Sequence, residues 1–385
     1  MSVWDNIVGQ QSVVARLQKV IDQPQALAQS WLFVGPPGSG RSVLARDFAQ
    51  ALECPNGGDG TCEVCHQIEL GSFPDVRVLT TQAVTIGIDD VRALVVESEQ
   101  MPSVGQWKIF IIEDVDRMSE RTTNVLLKSV EEPAEHTIWL LCAPSAQDVL
   151  PTIRSRCRLV TLAVPQAQDI AAFLARRYPD LTSSQTAQIA RISQGHIGIA
   201  SLYATHRDML ASRANMISGV ISMTRSSDAV LLARQIDEDA KTQAQQTVDE
   251  RVEKQQLDFK RKNGLEEKKP VPAALRPQYN KIGKADEKKR EITRSYRDII
   301  DRTLTDISSV YRDISVIHND ALESVGLVNL ENNAQLQQLA VRLTRSQATQ
   351  RLEAVEVARR RIQGNGAPLL DLEAMLCTLI PPFKR

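Results

Sequence analysis

The sequence predicts an N-terminal α/β domain with a parallel sheet, followed by a chain that is helical to its end. A glycine-rich phosphate-binding motif at 35–42 lies between a strand pattern and a helix pattern, and strands and helices then alternate as far as residue 162. From residue 165 onward the apolar repeats have helical spacing only. We therefore predict an α/β domain at 1–163, a small helical domain at 164–208 and a larger helical domain at 209–385.

The motif at 35–42 is the part of the sequence with the clearest chemistry. It reads Gly35, Pro36, Pro37, Gly38, Ser39, Gly40, Arg41 and Ser42. In the pattern G-x-x-x-x-G-K-[ST], small residues let backbone N–H groups face phosphate oxygens, the lysine reaches the β and γ phosphates, and the hydroxyl holds Mg²⁺. Arg41 replaces that lysine, and a broad planar guanidinium is not interchangeable with a compact ammonium. We expect weak or absent hydrolysis, and the sequence leaves binding of ATP or ADP open.

Two acids follow the apolar run 108–112, which has the composition of a central parallel strand. P-loop ATPases place the Asp that orders Mg²⁺ at this position, with the Glu that activates water beside it. Glu113 and Asp114 have the reverse order, which we expect to change which carboxylate faces the metal. This is a second argument against hydrolysis. The alternative is that both are solvated acids at a strand end.

The remaining elements of the first two domains follow from periodicity and from helix start and stop signals. We predict a helix over 13–21 that ends near Pro24, and a helix that starts at Asp89 and Asp90 as caps and runs to Glu99. The other predicted strands or extended segments are 31–34, 76–79, 84–88, 137–142 and 159–162, and the other predicted helices are 42–53, 119–133, 170–178, 183–192 and 196–206.

A glycine-rich insert at 54–66 contains three of the six cysteines. In a reducing compartment the spacing of Cys54, Cys62 and Cys65 is typical of a zinc ribbon, for which a fourth ligand is needed. Asp59 lies three residues before Cys62 and is our candidate for it, with His66 as the adjacent alternative. A ribbon that binds no metal remains the other interpretation.

Composition limits the classes of protein that the chain represents. The net charge is −1, so contact with nucleic acid requires a local basic patch or a complex. The first thirty residues carry Asp5, Arg16, Lys19 and Asp22, which argues against a signal peptide, and no apolar run approaches the length of a membrane span. We expect a cytoplasmic protein without membrane contact, whose thiols are reduced.

The larger helical domain contains a charged segment at 237–294. It is dense in Lys, Glu, Asp and Gln, and three prolines follow Gly264. We predict two long solvated helical arms around a mobile linker, with disorder as the alternative for 263–284. After the linker, apolar residues from Tyr296 to Ile314 recur at helical spacing and predict a helix with one buried face.

Several motifs taken together resemble the AAA+ clamp-loader family. They are the phosphate-binding motif, the cysteine ribbon, the segments 86–92, 111–116 and 124–133, Ser155-Arg156-Cys157, and 365–368 before the last helix. The Gly-Arg-Ser ending of the loop, combined with Glu-Asp, is similar to actinobacterial members. The resemblance covers nearly the whole chain in order.

The resemblance implies a RecA-like P-loop domain, a helical lid and a helical collar through which five subunits form a ring. It implies motor (tau/gamma) and delta subunits as partners, and the sliding clamp and primed DNA through the complex. It also implies that Arg156, next to Ser155, enters the ATP site of a neighbouring motor subunit as a finger in trans. A guanidinium facing developing phosphoryl charge is worth several powers of ten in rate.

Three departures from the motor subunits of the family separate two functional interpretations. Motor subunits carry Lys at position 41, Asp-Glu at 113–114, and an arginine after the lid glycine where this chain has Gly198. The favoured interpretation is a non-motor subunit in which Arg156 is the only residue that takes part in chemistry. The alternative for Arg156 is a purely structural role. The second interpretation is an active AAA+ ATPase. Polymerase or exonuclease chemistry has no supporting residues.

Overall fold

The computed structural model describes residues 2–23, 27–81, 85–266, 269–364 and 366–382. It divides into two compact units, 1–206 and 207–385, which are described separately below. Within the described ranges, every helix lacks the length or the apolar character needed to cross a membrane. The predictions that involve residues 24, 84, 268 and 365 fall partly outside these ranges.

The first unit contains five strands and nine α-helices among its described residues. The strands are β1 (Ser30–Val34), β2 (Val76–Leu79), β3 (Lys108–Ile112), β4 (Thr137–Ala143) and β5 (Arg158–Thr161). The helices are α1 (Gln11–Ile21), α2 (Arg41–Glu53), α3 (Glu63–Glu69), α4 (Ile88–Ser98), α5 (Glu120–Glu131), α6 (Pro151–Arg154), α7 (Ala167–Arg177), α8 (Ser183–Ile192) and α9 (Ile197–Thr205).

All strand pairs in the sheet are parallel, and the strand order is β2-β3-β4-β1-β5. Because side chains alternate along a strand, Trp31 and Phe33 of β1 pack on one face of the sheet, while Leu32 and Val34 pack on the other. Helices therefore cover both faces, as a parallel sheet requires. The predicted α/β fold is confirmed, and the carboxyl ends of β1 and β3 bring the glycine loop and the acid pair to one edge.

The start of α4 differs from the sequence prediction. Ile88 is the first helical residue and Gly87 is the N-cap, so Asp89 and Asp90 lie in the first turn rather than at the cap. Their carboxylates still lie where the helix dipole favours negative charge, which explains the misplaced boundary. Of the expected extended segment 84–88, the described part makes a single bridge, between Ile86 and Met118.

All secondary-structure elements in the described part of the second unit are helices. Its helices are α10 (Arg207–Ser222), α11 (Ser226–Lys262), α12 (Arg276–Tyr279), α13 (Ala285–His318), α14 (Leu322–Val325), α15 (Asn333–Arg342), α16 (Arg345–Gln363) and α17 (Pro368–Leu379). The predicted buried face of α13 is confirmed, because Ile300, Ile307 and Ile314 are fully buried in the core of this unit.

The arms at 237–294 are less solvated than the sequence predicts. Val248 and Val252 of α11 are buried, and Val271 is buried within the connection between the arms. The connection also includes the short helix α12. Sequence composition missed this because few apolar residues are enough to pair two helices whose other faces are charged.

Candidate functional site

The glycine loop between β1 and α2 has the backbone shape that a phosphate site needs. Gly38 and Gly40 have φ angles of 80° and 91°, in the left-handed region that favours glycine. Gly40 is also the N-cap of α2, so the unpaired N–H groups of the first helical turn point toward the loop. The hydroxyl of Ser39 is buried and has no hydrogen-bond partner among the described residues. Backbone and hydroxyl donors of this kind fit phosphate oxygens.

The side chain of Arg41 turns back onto the loop and is only 12% exposed. Its guanidinium donates a hydrogen bond to the carbonyl of Gly35, and Nη2 lies 3.4 Å from Oδ1 of Asp114. The positive charge that would face the β and γ phosphates is therefore engaged by protein oxygens.

The two acids after β3 both face the loop, but they contact different partners. Glu113 lies near Ser42, the hydroxyl residue of the motif, and its Oε1 lies 3.6 Å from Nη2 of Arg46. Burial raises the pKa of Glu113, and Arg46 opposes this effect. Asp114 has a left-handed φ of 55° and contacts both Arg41 and Arg117. The acids are 21% and 26% exposed in their side chains, so they are not simply solvated.

Residues before α9 lie against the glycine loop, a contact that the sequence analysis did not predict. The N–H of Ile197 donates to the carbonyl of Gly38 at 3.1 Å, and a Cβ added to Gly38 would lie 2.2 Å from Cγ of His196. Nδ1 of His196 accepts from the N–H of Ile199 and caps α9. Gly198, where the motor subunits have an arginine, follows in this segment. No local pattern signals a contact between residues so far apart in sequence.

Arg156 lies between α6 and β5, and its side chain remains 33% exposed. Nε pairs with Oε2 of Glu131 at 2.9 Å, and Nη1 donates to the carbonyl of Thr152 at 2.8 Å. The ion pair lowers the pKa of Glu131. Ser155 is the exposed C-cap of α6, and its hydroxyl donates to the same Thr152 carbonyl. Glu131, at the end of α5, is a positioning partner that the sequence analysis did not single out.

The insert at 54–66 brings its four candidate ligands together. The Sγ atoms of Cys54, Cys62 and Cys65 and a carboxylate oxygen of Asp59 all lie within 4.8 Å of one another. Cys54 caps the end of α2, and Cys62 caps the start of α3. His66, the alternative ligand, is not part of this group.

The donor set fits a tetrahedral zinc ion. Zn–S bonds of about 2.3 Å separate two sulfurs by about 3.8 Å, and the Sγ atoms of Cys54 and Cys62 lie 3.6 Å apart. Hydrogen bonds from Asn56 and from the backbone of Thr61 and Cys62 lower the pKa of Asp59, so this carboxylate is charged. Burial raises the pKa of Cys54, but hydrogen bonds, mainly from the backbone, outweigh this effect and lower it overall. Burial raises the pKa of Cys65.

Comparison with known families identifies the N-terminal part of the chain. Residues 9–166 match the family model described as "DNA polymerase III, delta subunit". These residues belong to the DNA polymerase III clamp-loader family. The match contains the glycine loop, the acid pair, the cysteine insert and Arg156, so the candidate sites all lie on its clamp-loader part.

Curated relatives of this segment include proteins named as delta' and as tau/gamma subunits of DNA polymerase III. The chain is 33% identical over 174 residues to DNA polymerase III subunit delta' of Pseudomonas aeruginosa, covering 44% of this chain and 53% of that protein. It is 32% identical over 200 residues to DNA polymerase III subunit tau/gamma of Haemophilus influenzae, covering 50% of this chain and 29% of that protein. The chain thus spans about half, or less, of the length of these relatives.

Among solved structures, a DNA polymerase III gamma subunit-related protein from Thermotoga maritima resembles this chain. The likeness covers 95% of this chain and 98% of that one, with 16% sequence identity and a TM-score of 0.42. At these values it carries no argument about function.

Proposed function

We propose that this chain is the delta', non-motor subunit of a DNA polymerase III clamp loader, which helps to place the sliding clamp on primed DNA. The observation that carries the proposal is the state of Arg41. Its guanidinium is engaged by Gly35 and Asp114. A motor subunit needs a cation free to follow the β and γ phosphates through the reaction. This chain commits its loop cation to its own protein oxygens.

The other two departures support the same proposal. Glu113 pairs with Arg46, so part of the negative charge that would order Mg²⁺ is already balanced by a protein cation. Gly198 has no side chain with which to sense a γ-phosphate. The glycine loop and its α2 N–H groups still fit the phosphates of ATP or ADP, so the proposal is binding without turnover.

The chemical contribution of the chain is Arg156, acting on a neighbouring motor (tau/gamma) subunit. Its one-third exposure and its attachment to Glu131 support a guanidinium that is positioned and still accessible. Such a group stabilises the charge on the phosphoryl group as it passes to water, and an arginine supplied in trans is worth about 10³ to 10⁵ in rate. Ser155 helps to hold the turn.

The test is the ATPase rate of the assembled loader, motor and delta subunits included, with Arg156→Ala. We expect a loss of at least about a thousandfold with assembly intact, and no turnover by the isolated chain. Arg154→Ala is the matched control, because Arg154 is a neighbouring exposed arginine that donates to the carbonyl of Ala146. Turnover by the isolated chain, together with an unchanged assembled rate, would support the second candidate, an active AAA+ ATPase.

The insert supplies a second, structural part of the proposal. We assign Cys54, Asp59, Cys62 and Cys65 as ligands of a zinc ion that ties the end of α2 to the start of α3. The ion would replace the core that this glycine-rich loop lacks. Its test is given in the Discussion.

A further inference from the structure

Helices α11 and α13 form an antiparallel hairpin in the second unit. Asp249 of α11 pairs with Lys288 of α13, and farther along α11 Val252 lies beside Gly283 and Phe259 beside Tyr279, which both precede α13, so the two arms run in opposite directions. We call residues 254–294 the distal hairpin. Neither the family match at 9–166 nor the sites described above include it.

The distal hairpin has a charge opposite to that of the rest of the chain. It contains thirteen Lys and Arg residues and six Asp and Glu residues, an excess of seven positive charges in a protein whose net charge is −1. The remaining residues therefore carry a net charge of −8. A positive field at this end of the unit attracts a polyanion even though the whole molecule is slightly acidic.

Some cations of the distal hairpin form ion pairs with acids of the second unit, whereas others are exposed to solvent. Lys288 pairs with Asp249, and Lys269 pairs with Glu266. Six exposed cations of the hairpin, among them Lys254 and Arg276, form no ion pair with any acid in the described part of the chain. Four of the six lie within 281–290, and we call them the tip cations: Lys281, Lys284, Lys289 and Arg290.

The apolar residues of the hairpin are occupied by the hairpin itself. The rings of Phe259 and Tyr279 lie 5.7 Å apart, and Val271 is buried. Among the described residues of 254–294, no large apolar side chain is exposed. The surface therefore offers charge without an apolar anchor.

This chemistry distinguishes between classes of partner. Protein interfaces depend on buried aromatic and arginine anchors and are poor in lysine, whereas three of the four tip cations are lysines. A helix that lies in a membrane surface exposes an apolar face, whereas the described residues of the distal hairpin expose no large apolar side chain. A phosphate backbone is bound by exposed cations alone, through release of its counterions.

We propose that the distal hairpin contacts the phosphate backbone of DNA, with Lys281, Lys284, Lys289 and Arg290 as the contact residues. The choice of DNA as the polyanion rests on the proposed function. The contact is independent of base sequence, because flexible lysines reach phosphates and carry no base readout here.

The test measures binding of the full chain to a fluorescein-labelled primed duplex by anisotropy, across a series of salt concentrations. The variant Lys281→Gln, Lys284→Gln, Lys289→Gln and Arg290→Gln should bind at least about tenfold more weakly and reduce the slope of log K against log salt by about four. The matched control removes four exposed cations of the first unit, with Arg16→Gln, Lys19→Gln, Arg176→Gln and Arg177→Gln, and should leave both quantities nearly unchanged. Thermal melts of both variants should match that of the wild type, because all eight side chains are exposed.

Equal loss in the two variants, or no loss in the tip variant, would overturn the proposal. So would wild-type DNA binding too weak to measure at low salt, or binding to vesicles of anionic lipid in preference to the duplex. Failure of the tip variant to assemble with the other loader subunits, with unchanged DNA binding, would assign the surface to a protein partner instead. The DNA-binding measurements use the isolated chain and DNA, so they fail independently of the ATPase test of Arg156.

Discussion

The two ends of helix α2 carry two sites that each differ by one residue from the pattern they resemble. At the N-terminal end Arg41 replaces a lysine, and at the C-terminal end Asp59 stands where a fourth cysteine is expected. The outcomes differ. Arg41 is engaged by Gly35 and Asp114, whereas Asp59 directs a charged oxygen into the group of three thiols.

This difference shows that a departure from a motif does not by itself abolish a site. Our proposal gives Asp59 the place of the missing thiol, because a carboxylate is also a zinc ligand and the loop brings it within 4.8 Å of the three sulfurs. Arg41 keeps the positive charge of the lysine, but its guanidinium is longer and broader than an ammonium group. It therefore contacts the carbonyl oxygen of Gly35 and the carboxylate of Asp114. The neighbours of the substituted residue therefore decide what becomes of the site.

The largest expected effect is at the zinc end of α2. Cys62→Ala should release the zinc and lower the melting temperature by more than about 10 °C, because metal binding to such a loop contributes directly to folding. Zinc is measured by mass spectrometry of protein purified under reducing conditions, where the wild type should hold one ion per chain. Cys377→Ala, which changes a cysteine outside the group, should retain the metal. A wild-type protein without zinc, even after reconstitution, would contradict the assignment.

A smaller effect is expected at the loop end, from Gly38→Ala. The change places a Cβ at a φ of 80° and 2.2 Å from the His196 ring, so it strains the backbone and displaces the residues before α9. We expect a loss of about 2 kcal/mol in the free energy of unfolding, or roughly 4 to 8 °C in melting temperature. Gly71→Ala separates the two causes, because Gly71 has a φ of 66° but nothing within 4 Å of the added Cβ. Equal losses at both positions would show that the His196 contact contributes nothing.

The smallest expected effect is that of restoring the missing lysine. Arg41→Lys alone should produce no measurable ATP turnover by the isolated chain, because Glu113, Asp114 and Gly198 still differ from a motor subunit. Phosphate release is the measurement, and the comparison variant combines Arg41→Lys with Glu113→Asp and Asp114→Glu. If Arg41→Lys alone produced turnover at the rate of a motor subunit, the activity of the phosphate loop would depend on one residue. The sites at the two ends of α2 would then not differ in this respect.

Much of the first unit was predictable because its signals are local. The five strands, the glycine loop and the cysteine insert were identified from short runs of sequence, and their bounds agree with the structure to within one or two residues except before α4. The candidate zinc ligands were also correctly grouped, since all four lie within twelve residues. The arms of the second unit were predicted less well, because their composition hides the narrow face that Val248 and Val252 bury.

The sequence by itself determined the order of strands and helices, the position of the phosphate loop and the residue types at each site, because these depend on local periodicity and on chemistry within a few residues. Only the tertiary structure decided how the key charges are used. It paired Arg41 with Asp114 and Arg156 with Glu131, placed His196 against Gly38, and left the tip cations of the hairpin without acidic partners among the residues that the structure describes. The physical reason is that an ion pair depends on distances of a few ångströms between side chains from different elements, and those distances are fixed only when the core has packed.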